Sequence, residues 1–99
     1  MATSDLPRLV GSPEQIAWAE GIRAKALVEI DKSRAEMAAH VAEHPEAAAE
    51  EAANNAAFDQ AIKAHPDARW WIDCEDLAEY HLRVEVHEII ARAEIARST

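Results

Sequence analysis

Apolar positions along this chain fall into two long helical stripes separated by a stretch of small residues. Ahead of the first stripe, Leu6, Pro7, Leu9, Val10 and Gly11 lack helical spacing. Pro7 also keeps Leu6 out of the helical region, so residues 1–11 read as an extended arm that packs on the body. Ser12-Pro13-Glu14-Gln15 then announces a helix: a capping serine, a proline suited to the first turn, and a glutamine that completes a capping box. From there Ile16, Ala19, Arg23, Ala26, Ile30, Ser33, Met37 and Val41 form one stripe, widened by Ile22, Leu27 and Ala38. The spacing predicts one helix over 12–44, about 46 Å long. The stripe is strong to Ile30 and thin after it.

His44-Pro45-Glu46 marks a corner. An alanine-rich stretch follows, with Phe58 and Ile62 as its large apolar residues and Asn54-Asn55 in its middle. It predicts a helix over 46–64, the least stable element because alanine buries little area. His65-Pro66-Asp67 repeats the corner. Residues 67–73 hold the Trp70-Trp71-Ile72 cluster and read as a short helix or turn, and Asp73 is placed to cap a last helix over 74–97. In that helix Leu77, His81, Val84, Glu88, Ala91 and Ile95 make one row, with Ala78, Leu82, Ile89, Ala93 and Ala96 beside it. Tyr80, Leu82, Val84 and Val86 also alternate, which leaves a short strand open, although no partner strand is evident. The fold expected is all-α: a single-domain small bundle with a long N-terminal helix, an Ala-rich middle helix, and a C-terminal helix antiparallel to the first.

Composition qualifies this picture. Apolar residues make up 49% of the chain, but 23 of them are alanine. Leu, Ile, Val and Phe together number nineteen of 99 residues. That lies just under the proportion, about one-fifth, at which a charged chain falls under suspicion of disorder. The core must be thin. The net charge of -9 is unevenly spread: residues 45–68 carry five acids and one base. An excess of acid argues against direct contact with nucleic acid or an anionic membrane surface, and suits a basic protein partner. No stretch approaches the length of a membrane span, and the N-terminus lacks the basic and apolar regions of a signal peptide, so a cytoplasmic setting is expected.

Signals for chemistry are weak. His40-Val41-Ala42-Glu43-His44 matches the H-x-x-E-H zinc pattern, but Pro45 follows at once and no third ligand is evident. His81 on the apolar row reads better as a core or interface histidine than as a ligand. Cys74 is the single cysteine and lies among Asp73, Glu75 and Asp76, which disfavour a reactive thiolate. No phosphate loop, cysteine pair or nucleophilic triad is present, so neither cofactor nor enzymatic activity is expected. Trp18, Trp70 and Trp71 are three of the five aromatic residues. Adjacent tryptophans on a helix point about 100° apart, so one of the pair can anchor an interface while the other fills the core. The candidate partner-binding residues are Glu46, Glu50, Glu51, Asp73, Glu75, Asp76 and Glu79, with Trp71 as the anchor. Carboxylates sharing a helix face can imitate the phosphate spacing of a nucleic acid.

The stretch from Leu6 to Arg23, with its GSPEQIAWAEGIR core, together with Trp70-Trp71-Ile72-Asp73, resembles small proteins of bacterial phages, prophages and plasmids. The resemblance marks a genomic setting and carries no site residues. It is silent on activity; that setting, together with the small size and the charge of -9, leads to the expectation of a non-enzymatic inhibitor in a bacterial host cell, comparable in size and charge to anti-CRISPR proteins. Such a protein would block the basic nucleic-acid site of a CRISPR effector or another defence complex. A self-associating helical subunit, for instance a homodimer, is the alternative.

Overall fold

The computed structural model describes residues 6–98; the part of the expected arm over 1–5 lies outside them. Four helices follow one another: α1 (Pro13–Glu43), α2 (Ala48–Lys63), α3 (Ala68–Cys74) and α4 (Ala78–Ser98). Single 3-10 turns at Pro45–Ala47 and Glu75–Leu77 lead into α2 and α4. The fold is all-α, with a long N-terminal helix as expected. Residues 80–86 are helical, which closes the strand alternative.

Local chemistry explains the helix ends. Ser12 Oγ accepts from Gln15 N, and Gln15 Oε1 accepts from Ser12 N, so the capping box forms in full. Pro45 has no N–H to continue α1 and opens the next turn instead. Asp67, rather than Asp73, is the capping aspartate: its Oδ1 accepts from Arg69 N. Asp73 lies inside α3, and the last helix starts at Ala78, four residues later than the apolar pattern suggested. The 3-10 turn between them absorbs the difference.

Helix directions follow from three contacts. Arg34 meets Asp59, as in an antiparallel α1–α2 hairpin. Lys25 meets Asp76 and Ser33 meets Arg83, in the same order along both chains. So α4 runs in the same sense as α1, which corrects the expected antiparallel pairing. The chain reverses once into α2 and again through α3.

Trp71, Ile30 and Leu82 are the largest fully buried side chains. Around them lie Leu9, Phe58, Ile62, Val86 and six alanines: Ala19, Ala26, Ala57, Ala61, Ala68 and Ala78. The alanines let the helices approach closely, and the large residues fill what space remains. All of this burial sits at one end of the bundle. Between Ile30 and Ala57, and in α4 beyond Val86, no residue is buried.

On α4 the buried row is Ala78, Leu82 and Val86, spaced four apart. The row expected to face inward is turned outward: Leu77, His81, Val84, Ala91 and Ile95 are exposed. His81 packs edge-on against Tyr80 and is neither a core nor a bundle-interface residue. Two rows of similar hydropathy compete on this helix, and the angle at which the α3 corner delivers the chain selects between them.

The arm is tied down at two places. Val10 N donates to Pro66 O at 2.8 Å, and Ala68 N donates to Val10 O at 2.9 Å, in a one-residue parallel bridge. Arg23, the buried charged residue of α1, donates through Nη1 to Pro7 O at 2.8 Å. Burial pushes the Arg23 guanidinium below its ordinary range and Glu20 opposes this.

With so few large residues in the core, Trp71→Ala is expected to cost about 3–5 kcal/mol, a large part of the roughly 5–15 kcal/mol available to a small domain. Trp18→Ala, on an exposed position, is expected to change stability by about 0.5 kcal/mol or less. Urea denaturation followed by circular dichroism checks both, and equal losses would contradict this account of the core.

Candidate functional site

The α3–α4 corner gathers most of the candidate acids. Helix α3 ends at Cys74, and Glu75 turns the chain with φ 44 and ψ -116. A positive φ on a residue with a side chain costs on the order of 1–3 kcal/mol and persists where the surroundings hold it. The turn leaves Asp73, Glu75 and Asp76 exposed. Beside them in the chain, Leu77 is 57% and Tyr80 60% exposed. Asp73 pairs with Arg69 at 3.2 Å and Asp76 with Lys25 at 3.7 Å. Both pairs are open to water, where each contributes about 0–1 kcal/mol, so the carboxylates stay available to another partner. Glu79 is half-buried and held by Arg83 at 2.7 Å.

The second acidic group does not join the first. Glu46, exposed and 3.4 Å from His44 Nδ1, opens the turn before α2, with exposed Glu50 and half-buried Glu51 following in the first turn of α2. Lys25 meets the α3–α4 corner, whereas this turn follows the end of α1 some twenty residues further on. The two groups are therefore about 30 Å apart along α1. They form two acidic patches rather than one surface.

Trp71 is not a contact residue. It is fully buried, and its Nε1 donates to His65 O at 2.9 Å. The 100° offset between neighbours operates as expected, but with Trp71 inward. Trp70 is half-buried, edge-on to Trp71 and stacked on the His65 ring at 3.7 Å between centroids. Trp18, 55% exposed, is the tryptophan that α1 presents to solvent.

The His40 and His44 rings lie 4.6 Å apart at the end of α1. Among the described residues no group of three or more His, Cys, Asp or Glu side chains is placed to hold a metal ion. His65 was visible in the sequence only as part of a corner. In the structure its Nε2 lies 2.8 Å from both carboxylate oxygens of Glu85, and this pair fastens the α2–α3 corner to α4. No spacing rule connects residues twenty positions apart, so this pairing had no sequence signal.

Cys74 is half-buried, and burial raises its thiol above the ordinary range, with Asp73 and Glu85 adding to the effect. Of the three acids expected to act on it, Asp73 contributes while Glu75 and Asp76 do not; Glu85 takes their place, and burial is the larger cause. Such a thiol is a poor nucleophile at neutral pH.

No protein-family model matches this chain, and no curated protein and no solved structure matches it either.

Alkylation of Cys74 by iodoacetamide at neutral pH is expected to be slower in the native chain than in the urea-unfolded chain, and to accelerate only above the ordinary thiol range. The folded chain holds the thiol proton more tightly than the unfolded one. The stability this group contributes is therefore present below the unfolded thiol pKa and declines as pH rises through the folded value. Faster alkylation of the native chain would contradict the assignment.

Proposed function

We propose that this chain is a non-enzymatic acidic binding protein of a bacterial mobile element. It would inhibit a host nucleic-acid-handling or defence complex, such as a CRISPR effector, by occupying its basic nucleic-acid-binding site. The observation that carries this reading is the α3–α4 corner. There Asp73, Glu75 and Asp76 stand exposed on a strained turn, next in the chain to exposed Leu77 and Tyr80. Carboxylates steer the encounter with a cationic groove, and an adjoining aromatic and aliphatic pair supplies area that a purely ionic contact lacks. The overall charge of -9 favours the same class of partner and disfavours direct binding to nucleic acid or to an anionic membrane. Among the described residues, no helix is long and apolar enough to cross a membrane.

A second reading, self-association through α4, is favoured by the exposed row of Leu77, just before the helix, with Tyr80, Val84 and Ile95 on it. A sedimentation run at high concentration is expected to show a dimer under that reading, and a monomer throughout removes it.

Binding to an isolated effector of this kind is expected to weaken steeply as salt rises. The triple variant Asp73→Asn, Glu75→Gln, Asp76→Asn is expected to lose about tenfold or more in affinity. Affinity indifferent to both salt and these substitutions would sink the electrostatic reading.

A further inference from the structure

One cavity in the bundle gathers two arginines in a chain with an excess of acid. It holds about 270 Å³ and opens between α1, α2 and α4. Arg34 and Arg83 line it, and both guanidinium groups lie over the same ring, that of Phe58, at 5.4 and 5.8 Å from its centroid. Two cations converging on one aromatic side chain repel each other, and each is held by a carboxylate. Arg34 Nη2 donates to Asp59 at 3.0 Å, and Arg83 Nε donates to Glu79 at 2.7 Å. Arg83 Nη2 also donates to Ser33 Oγ at 2.7 Å.

These partners do not use up the guanidinium donors. Arg34 is bound through Nη2, and Arg83 through Nε and Nη2, which leaves Nη1 of each for a ligand; Arg34 Nε, unpaired among the described residues, is sealed from solvent and takes no part. The remaining polar wall is Asn54, Asn55 and His87, and no Asp or Glu lines the cavity. Asp59 and Glu79 hold the two arginines from outside the lining and leave part of each guanidinium facing the cavity.

The two asparagines strengthen the point. They interrupt an alanine-rich helix, where each is a poorer helix former than the alanines around it. Packing does not require them, since both sit half-buried before the first buried residue of α2. Their side-chain amides supply donors and acceptors at the cavity wall. Met37, Phe58 and Val86 supply its apolar side. The volume lies just below the usual range for small-molecule sites, about 300–1,000 Å³.

We infer that this cavity binds a small organic oxyanion. The carboxylate or phosphate head sits against Arg34 and Arg83, and a short apolar body lies on Met37, Phe58 and Val86. A planar oxyanion suits guanidinium forks, which bind such groups through paired charge-assisted hydrogen bonds. The cavity adjoins the acidic corner through the Arg83–Glu79 pair, but the inference does not depend on the protein-binding reading.

The test is calorimetric titration of the full chain with phenyl phosphate, benzoate, inorganic phosphate and benzylamine. Nitrogen-15 NMR shift mapping of the same samples accompanies it. Phenyl phosphate or benzoate is expected to bind at one site with a Kd of about 1 mM or tighter. Which of the two binds more tightly distinguishes a phosphate from a carboxylate ligand. The shifts are expected to centre on the Asn54 and Asn55 amides and on His87. Arg83→Gln and Arg34→Gln are each expected to weaken binding about tenfold or more. Should Arg34→Gln fail to fold, the shift map on the intact protein and Arg83→Gln still decide. No binding by either organic anion overturns the inference. So does equal binding of benzylamine, inorganic phosphate binding as tightly as phenyl phosphate, or shifts that centre elsewhere.

Discussion

The burial of Trp71 is the constraint on which the rest of the molecule depends. A tryptophan removes roughly 150–250 Å² from water, on the order of 4–6 kcal/mol at about 25 cal/mol per Å². In a core where six of thirteen buried apolar residues are alanine, no other side chain has comparable weight. Its indole N–H needs an acceptor once buried, and His65 O provides one. That bond ties α3 to the preceding loop. The loop in turn receives the arm through Val10, and α4 departs from the other end of α3. Arm, loop and last helix are therefore positioned by the orientation of one side chain.

The concentration of burial at one end has a consequence for the other. Where α1 passes Ile30, α2 precedes Ala57 and α4 passes Val86, the helices meet through small or half-buried residues. Close approach without large side chains excludes little water and stabilises little. Polar residues are cheaper to hold there than in the main core. The arginine-lined cavity occupies this border zone, between the tightly packed end and the loosely packed one.

Charge is sorted by the same geometry. Acids crowd the corners, where chain reversals push side chains outward: Glu46 and Glu50 at one end, Asp73, Glu75 and Asp76 at the other. Several of the few bases are drawn inward, Arg23 onto the carbonyl of Pro7 and Arg34 and Arg83 onto Phe58. Arginine tolerates such positions because its long stem packs while its planar head still finds partners.

Much of this was legible in the residues themselves. The Ser12–Gln15 capping box, the stripe from Ile16 to Ile30, the two His-Pro corners and the helical character follow from interactions between residues close in the chain. These are read directly as spacing and local chemistry. What spacing could not decide was direction and facing. The sense of α4 along α1, the choice of Leu82 over Val84 as the inward residue, and the burial of Trp71 rather than Trp70 each depend on the angle at the α3 corner. So do the His65–Glu85 pair and the meeting of Arg34 with Arg83, across twenty and forty-nine positions of sequence. Local pattern sets which segments form helices, because hydrogen bonds and caps act within a turn or two. Which face each helix hides is settled only when Trp71 is packed, since that depends on all the helices at once.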